Sequence, residues 1–404
     1  MKVKYSLFIL IVAFLSVQCS SSKRLLENGN YYQAVLKATD KLRKSPRNNK
    51  AQAALRQAYP LAVEELIENI DQAAGMNAAF RWSAAADNYQ LLNNMYDAIR
   101  TSPAARKVIA HPQSYHRQYG QVKNKAAQEQ YAAGEQAMRE NTIEDARIAY
   151  RHFQQANQYV TGYKDVRRKL AEAQEAGTLK VVVEPQPVPS RYYQVSGDFF
   201  YQQVADFLRE YERRNMFIAF YSPQEAERSR LDYPDQVLHL RFEDFVVGQT
   251  HTFQKEETVT SEDSVKVGEI EIEVNQREKS RTISRDAESA FASKKKTVKK
   301  PVYDKVSATL TTHRIEINSG GILGIAIVDG NNRNLLRDEI RGDHVWFSEW
   351  ARFQGDKRAL NDHQLDLCNL PVATPPPPQQ LFVEFTKPLY AQLTDRLNRF
   401  YRNY

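Results

Sequence analysis

Thr178-Leu179-Lys180-Val181-Val182-Val183-Glu184 is the stretch on which the fold turns. Its run of β-branched residues reads as a strand. Pro185, Pro187 and Pro189 follow at once and enforce an extended connector. Upstream, from residue 23 to about 176, the chain is rich in Ala, Gln, Glu, Leu, Arg and Lys, which are good helix formers. Downstream, strand patterns dominate. The reading is an α+β protein. A helical-repeat domain spans 19–176, a linker with the first strand spans 177–192, and an antiparallel-dominated sheet packed with helices spans 193–404.

Composition sets the limits. In 404 residues, 42% hydrophobic content supplies a substantial core and excludes wholesale disorder. Two cysteines cannot build a disulfide framework or a four-thiolate zinc site. A net charge of +7 is modest for this length and argues for solubility rather than nucleic-acid binding.

In the helical half, breaks fall at Ser45-Pro46, Ala74-Gly75, Ser102-Pro103, His111-Pro112 and Thr161-Gly162. Between them apolar residues recur at helical spacing, as in Leu55, Ala58, Ala62, Leu66 and Ile70. Three helices share a pattern: Tyr31 with Ala34, Ala38 and Leu42; Trp82 with Ala85, Tyr89 and Leu92; Ile143 with Ala146, Tyr150 and Phe153. This pattern resembles the second helix of tetratricopeptide repeats, where a small alanine lets paired helices approach closely. Ala34, Ala85 and Ala146 lie 51 and 61 residues apart, against a family period of about 34. The resemblance therefore implies a degenerate solenoid offering a groove to a partner.

In the second half, the spacing predicts a helix over 199–214 and strands over 216–220 and 236–247. Residues 302–317 alternate in part. The apolar run 322–328 meets an Asp329-Gly330-Asn331-Asn332 turn, and 334–340 can return antiparallel to it. Pro375–Pro378 lead into an amphipathic C-terminal helix carrying Leu381, Phe385, Leu389, Leu393, Leu397 and Tyr401, with Lys387-Pro388 as a possible kink. This order of elements, with the strand and turn at 322–337, resembles the periplasmic core of curli-secretion lipoproteins and of lipoprotein activators of cell-wall synthases. The resemblance implies an envelope protein. The segment that would correspond to the membrane hairpins of curli-type channels, about 250–303, is here a charged insertion with charges on both faces. Lipid-facing Lys or Arg near the midplane costs about 2–4 kcal/mol each, so the insertion does not read as a pore. Its composition favours a solvated, mobile insertion.

At the N-terminus, Lys2 and Lys4 precede an apolar run over 7–15, and Ser16-Val17-Gln18 lead to Cys19 and Ser20-Ser21-Ser22. The run is too short for a permanent membrane helix and fits a signal peptide over 1–18. The cysteine after it resembles the lipobox of bacterial lipoproteins. That resemblance implies cleavage before Cys19, diacylglycerol and palmitate-type acylation there, and an anchor in the outer membrane of a Gram-negative cell, facing the periplasm.

Candidate contact residues are Trp346, Trp350 and Arg352, types enriched in binding hot spots. Tyr115 and Tyr119 are aromatics in a loop-like 111–120 segment. Lys294, Lys295, Lys296, Lys299 and Lys300 form a cluster suited to an anionic surface. No zinc-helix, phosphate-loop or nucleophile-elbow motif appears, so neither a catalytic residue, a metal nor a cofactor is read from the sequence. Cys368 reads as a small packed hydrophobe. The leading expectation is a lipid-anchored scaffold that meets other cell-envelope proteins, with oligomeric state open. A peptidoglycan or glycan binder using Trp346 and Trp350, or activator of a cell-wall enzyme, is the first alternative. A hydrolase built from distant carboxylates is the second.

Overall fold

The structure is a computed structural model describing residues 22–75, 79–275 and 295–404. The chain forms two compact units, one running to Leu179 with Met216–Ala219 added, the other made of Lys180–Asn215 and Phe220–Tyr404. It is α+β, with a curled mixed sheet.

The first unit holds eight helices among the described residues: α1 (Ser22–Glu27), α2 (Tyr31–Lys44), α3 (Asn49–Gly75), α4 (Arg81–Arg100), α5 (Pro103–Val108), α6 (His116–Arg139), α7 (Ile143–Tyr159) and α8 (Val166–Ala176). Every break read from the sequence falls at or just beside a helix end. Alanines carry much of the core: Ala34, Ala38, Ala51, Ala58, Ala62, Ala85 and Ala105 are all buried, which brings helix backbones close together. The pairing of α6 with α7 is tighter still. A methyl group at Gly134 would stand 2.7 Å from the Phe153 ring. The segment 111–120, expected to be a loop, is helical from His116 onward.

Helix α4 begins without a side-chain cap of its own. Phe80 precedes it with φ +61°, and the orphan N–H groups of Trp82 and Ser83 donate instead to the carboxylate of Glu129 on α6, at 3.0 Å each. A carboxylate at a helix N-terminus also meets the positive end of the macrodipole.

The second unit is built on a five-stranded sheet in the order β2-β1-β3-β6-β7, with β1 (Leu179–Pro185), β2 (Ile218–Tyr221), β3 (Gln236–Thr260), β6 (Ser307–Asp329) and β7 (Asn334–Gly355). Strand β1 runs parallel to β3, while β3–β6 and β6–β7 are antiparallel. The Asp329 turn forms as expected: its carboxylate accepts the N–H groups of Asn331 (3.0 Å) and Arg333 (2.9 Å), and Asn332 takes φ +61°. The strands run far beyond their expected ends. Strand β3 continues to Thr260 and pairs with β6 from Gln236–Asp329 to Thr260–Ser307, with register shifts after Phe242 and Val246. Beyond Ser261–Val306 the pairing resumes in β4 (Val265–Asn275) and β5 (Lys295–Asp304), a separate two-stranded ribbon. The described part of the charged insertion is therefore mostly paired, solvent-exposed strand. Backbone hydrogen bonds, which any polar side chain permits, order it.

Helices cover one face of the inner sheet. Helix α9 (Gln194–Arg214) starts five residues earlier than the spacing predicted, and α10 (Pro223–Arg228) follows β2. Helices α11 (Asp362–Asn369) and α12 (Pro378–Tyr401) complete the chain. In α12, Leu381, Phe385, Leu389, Leu393, Leu397 and Tyr401 form a fully buried row at four-residue steps. Pro388 lies inside this helix without ending it. An interior proline costs about 3 kcal/mol or more, but burial of each large side chain in the row contributes roughly 1.5–3 kcal/mol, so packing decides. The helix seats directly on backbone: a Cβ at Gly342 would lie 2.6 Å from the Phe385 carbonyl and 2.8 Å from Leu389. No helix among the described residues is long and apolar enough to cross a membrane.

Gly342→Ala forces α12 off the sheet and should lower stability by about 1–3 kcal/mol. Gly268→Ala, where a methyl meets nothing within 4 Å, should cost only a few tenths. Urea unfolding of both variants followed by circular dichroism checks the contrast.

Candidate partner-docking face

On the outer half of the β3–β6–β7 ladder, strand alternation separates the aromatic residues of β7 into two sets. Trp346, Ser348, Trp350 and Arg352 share one face. Val345, Phe347, Glu349, Ala351 and Phe353 share the other. Trp346 and Trp350 are half-buried, and Trp350 stacks on His313, its direct cross-strand neighbour, at 5.3 Å. Arg352 is exposed. The two tryptophans stand about 13 Å apart along the strand. The satellite core at the end of the ladder is made by Ala308, Leu310, Ala351, Ala359 and Leu360, and does not include them.

The more exposed aromatics lie on the opposite face. Phe253 is 52% exposed and Phe347 56%, with Val345 at 49%. Register brings them around one cation: Phe253 faces Arg314 across β3–β6, Arg314 faces Glu349 across β6–β7, and Glu316 faces Phe347 in the next row. Arg314 Nε donates to Glu316 Oε1 at 2.7 Å, its Nη1 lies 3.7 Å from Glu349, and its guanidinium sits 4.7 Å above the Phe347 ring. The guanidinium is thus fixed by two carboxylates and an aromatic face. One row further, the buried Oδ1 of Asn318, opposite Val345, has no hydrogen-bond partner. Exposed Phe, a preorganised Arg and an unsatisfied acceptor form a patch of hot-spot composition on rigid strand backbone.

The other sequence candidates fare differently. Tyr115, expected near the surface, is buried (6% exposed): it packs on Tyr89, and its N–H donates to Asn93 Oδ1 at 2.8 Å. A residue so enclosed cannot meet a partner. Tyr119 is half-buried on α6. Lys299 and Lys300 lie exposed on β5 but on opposite faces, with Lys299 opposite Glu271 and Lys300 opposite Ile270. They form no single basic patch, because alternation splits adjacent residues and the partner strand is acidic. Lys295 and Lys296 lie in β5. Lys294 and Cys19 lie outside the described residues. Cys368 is a half-buried free thiol on α11, its pKa pushed up by burial.

A groove of about 500 Å³ beside α9 and α10 is lined by Leu208, Phe220 and Leu240 together with Glu212 and Glu225. Burial pushes the Glu212 carboxyl up, while the Ser222 N–H holds that of Glu225 down. Opposed shifts suit an acid–base pair. Both carboxylates, however, are held by backbone: Glu212 by the Phe220 N–H, and Glu225 in a capping box with Ser222. Among the described residues no group of three or more His, Cys, Asp or Glu is placed to hold a metal ion.

One polar network escaped the sequence reading. Ser83 Oγ donates to Glu129, and Gln130 Nε2 donates to Ser83 Oγ at 3.0 Å, which turns Gln130 Oε1 toward His152 Nδ1 at 2.7 Å. That nitrogen must carry the proton, and the His152 ring stacks on Phe80. These residues are up to 72 positions apart in the chain, and no local pattern links them. No family model, curated protein or solved structure matches the chain.

Burial, with Arg151 adding to it, lowers the His152 pKa. Between the folded value and the unfolded value of about 6.5 the unfolded chain binds the extra proton, so stability is full above that range and falls as pH drops through it. His152→Gln should flatten the stability profile between pH 7 and 5, measured by thermal unfolding of matched samples.

Proposed function

We propose that this protein is a lipid-anchored scaffold of the bacterial cell envelope. Its signal peptide ends before an acylated Cys19, and its body meets other envelope proteins from the periplasmic side of the outer membrane. The reading is supported at the N-terminus by the positive region, apolar run and cysteine, and by multiple acyl chains sufficing as an anchor without a membrane helix. In the helical half, the alanine-spaced helices support a tetratricopeptide-like solenoid with a role in partner recruitment.

The observation that carries the scaffold reading is the exposed Phe253–Arg314–Phe347 patch. Its aromatic groups are exposed and its guanidinium is held by Glu316 and Glu349, an arrangement for recognition. Arg314 already satisfies its charge through Glu316 and Glu349, so a partner supplies apolar surface and a donor for Asn318 Oδ1, rather than a carboxylate.

A photo-crosslinking amino acid at Phe347 in the intact cell should yield one dominant adduct with an envelope protein, identified by mass spectrometry. Phe347→Ala should weaken capture of that partner at least tenfold. Absence of any adduct from both Phe253 and Phe347 refutes the docking face. Separately, Cys19→Ser should release the protein from the membrane fraction; a wild-type chain with an unmodified Cys19 thiol, found in the soluble fraction, refutes the anchor.

A further inference from the structure

The outer side of β7 has no strand partner among the described residues, although the strand runs 22 residues. Such an edge is a template for strand addition, and native sheets usually blunt it with charges. The charges of β7 carry a further property: their order is complementary to itself. When β7 is laid antiparallel to a second β7 across a two-fold axis at Val345, Arg341 faces Glu349. Gly342 meets Ser348, Asp343 meets Phe347, and Val345 meets itself. Both copies repeat each pair, as a two-fold requires.

Neighbouring registers lack this. A centre at His344 sets Glu339 against Glu349. A centre at Trp346 sets Asp343 against Glu349, and a centre at Asp343 sets that carboxylate against itself. A centre at Phe347 brings no opposite charges together. Like charges directly opposite destabilise a strand pair, and opposite ones each contribute. Of the five centres from 343 to 347, Val345 alone joins opposite charges without facing like ones.

The same edge shows where pairing is open. Near its start α12 covers it: Gln392 Nε2 donates to the Arg341 carbonyl at 2.7 Å, and Arg396 lies 3.1 Å from Asp338. The two-fold at Val345 falls beyond this cover, and Val345 and Phe347 are exposed. The open edge runs from Gly342 to Ser348, with the side chains of Arg341 and Glu349 meeting at each end of it, and Asp338 stays with Arg396. Arg341 itself is exposed and available to Glu349 of a second copy.

We propose that the protein forms a two-fold dimer by antiparallel pairing of β7 with β7 of a second copy, centred on Val345. The two sheets then join into one, and the faces bearing Phe253, Arg314 and Phe347 continue across the junction. This inference goes beyond the scaffold reading, because it needs no envelope partner and concerns the edge of the sheet.

Sedimentation equilibrium of the purified full chain in detergent should show a dimer at micromolar concentration. Glu349→Arg and Arg341→Glu should each weaken it at least tenfold, and the double exchange Arg341→Glu/Glu349→Arg should restore it. Val345→Cys in a Cys19→Ser/Cys368→Ser background should cross-link to itself with a short bismaleimide far faster than Val298→Cys on the β4–β5 ribbon. A monomer at tens of micromolar, or a dimer indifferent to charge reversal, overturns the proposal. So does cross-linking at Val345 no faster than at Val298. Circular dichroism of each variant separates lost pairing from lost folding, and the restoring double variant discriminates even where a single reversal is poorly folded.

Discussion

Antiparallel pairing of β3 with β6 is the constraint from which the second unit follows. It runs from Gln236 against Asp329 to Thr260 against Ser307. Because the side-chain period is two, this register decides which face every residue of the ladder occupies, and a slip of one residue exchanges the faces. Near the Asp329 turn the register is fixed by burial: Leu238, Leu240 and Phe242 on β3 and Leu323, Ile325 and Ile327 on β6 all point into the core. At the far end the small satellite core around Ala308, Leu310 and Ala351 holds it again, and between the two few side chains are buried. There the alignment is inherited through continuous backbone bonding, adjusted at the bulge where Gly248 takes φ +80° and its N–H donates to Ser319 Oγ at 3.1 Å.

That division explains what the sequence could disclose. Strand signals were legible where one face is buried, as in 236–247, 322–328 and 334–340, because burial imposes alternation. They were not legible over 248–260, where Thr250, Gln254, Lys255, Glu256 and Thr258 are exposed on both sides of the strand. Polar composition there resembles a loop, yet nothing in it opposes a ladder, since backbone groups make the bonds. The same gap hid the other face of the ladder. Trp346 and Trp350 stand out by composition, but only the register reveals that Phe347 lies on the opposite face beside Arg314, and that Phe253 joins it from a strand some sixty residues earlier.

The helical unit shows the converse. Its boundaries were legible because Pro, Gly and Ser act locally, as at Ser102, whose hydroxyl caps the helix begun by Pro103. Its polar interior was not. Helix α4 lacks a local cap and borrows one from Glu129, 46 residues beyond Ser83. The hydroxyl of Ser83 then fixes the amide of Gln130, and through it the tautomer of His152. Each link is a satisfied hydrogen bond, and each depends on a fold that brings α4, α6 and α7 together. Local propensity carries none of that information.

A ladder of this kind suits recognition for a reason rooted in entropy. The exposed phenylalanines stand on strands that are each paired with β6, so little backbone freedom remains to be lost when a partner arrives. Arg314, the group most costly to order, is already held by Glu316, Glu349 and the ring of Phe347. On the proposed reading, the acyl anchor adds a second saving. It confines the protein and its envelope partners to one surface, raising their effective concentration, so a patch of modest intrinsic affinity suffices for lasting association. A freely diffusing protein with the same patch would need a larger apolar surface, and such a surface invites nonspecific association. The mixed charged and aromatic character of the ladder is thus what tethering permits: enough contact to recognise, with enough charge to remain selective.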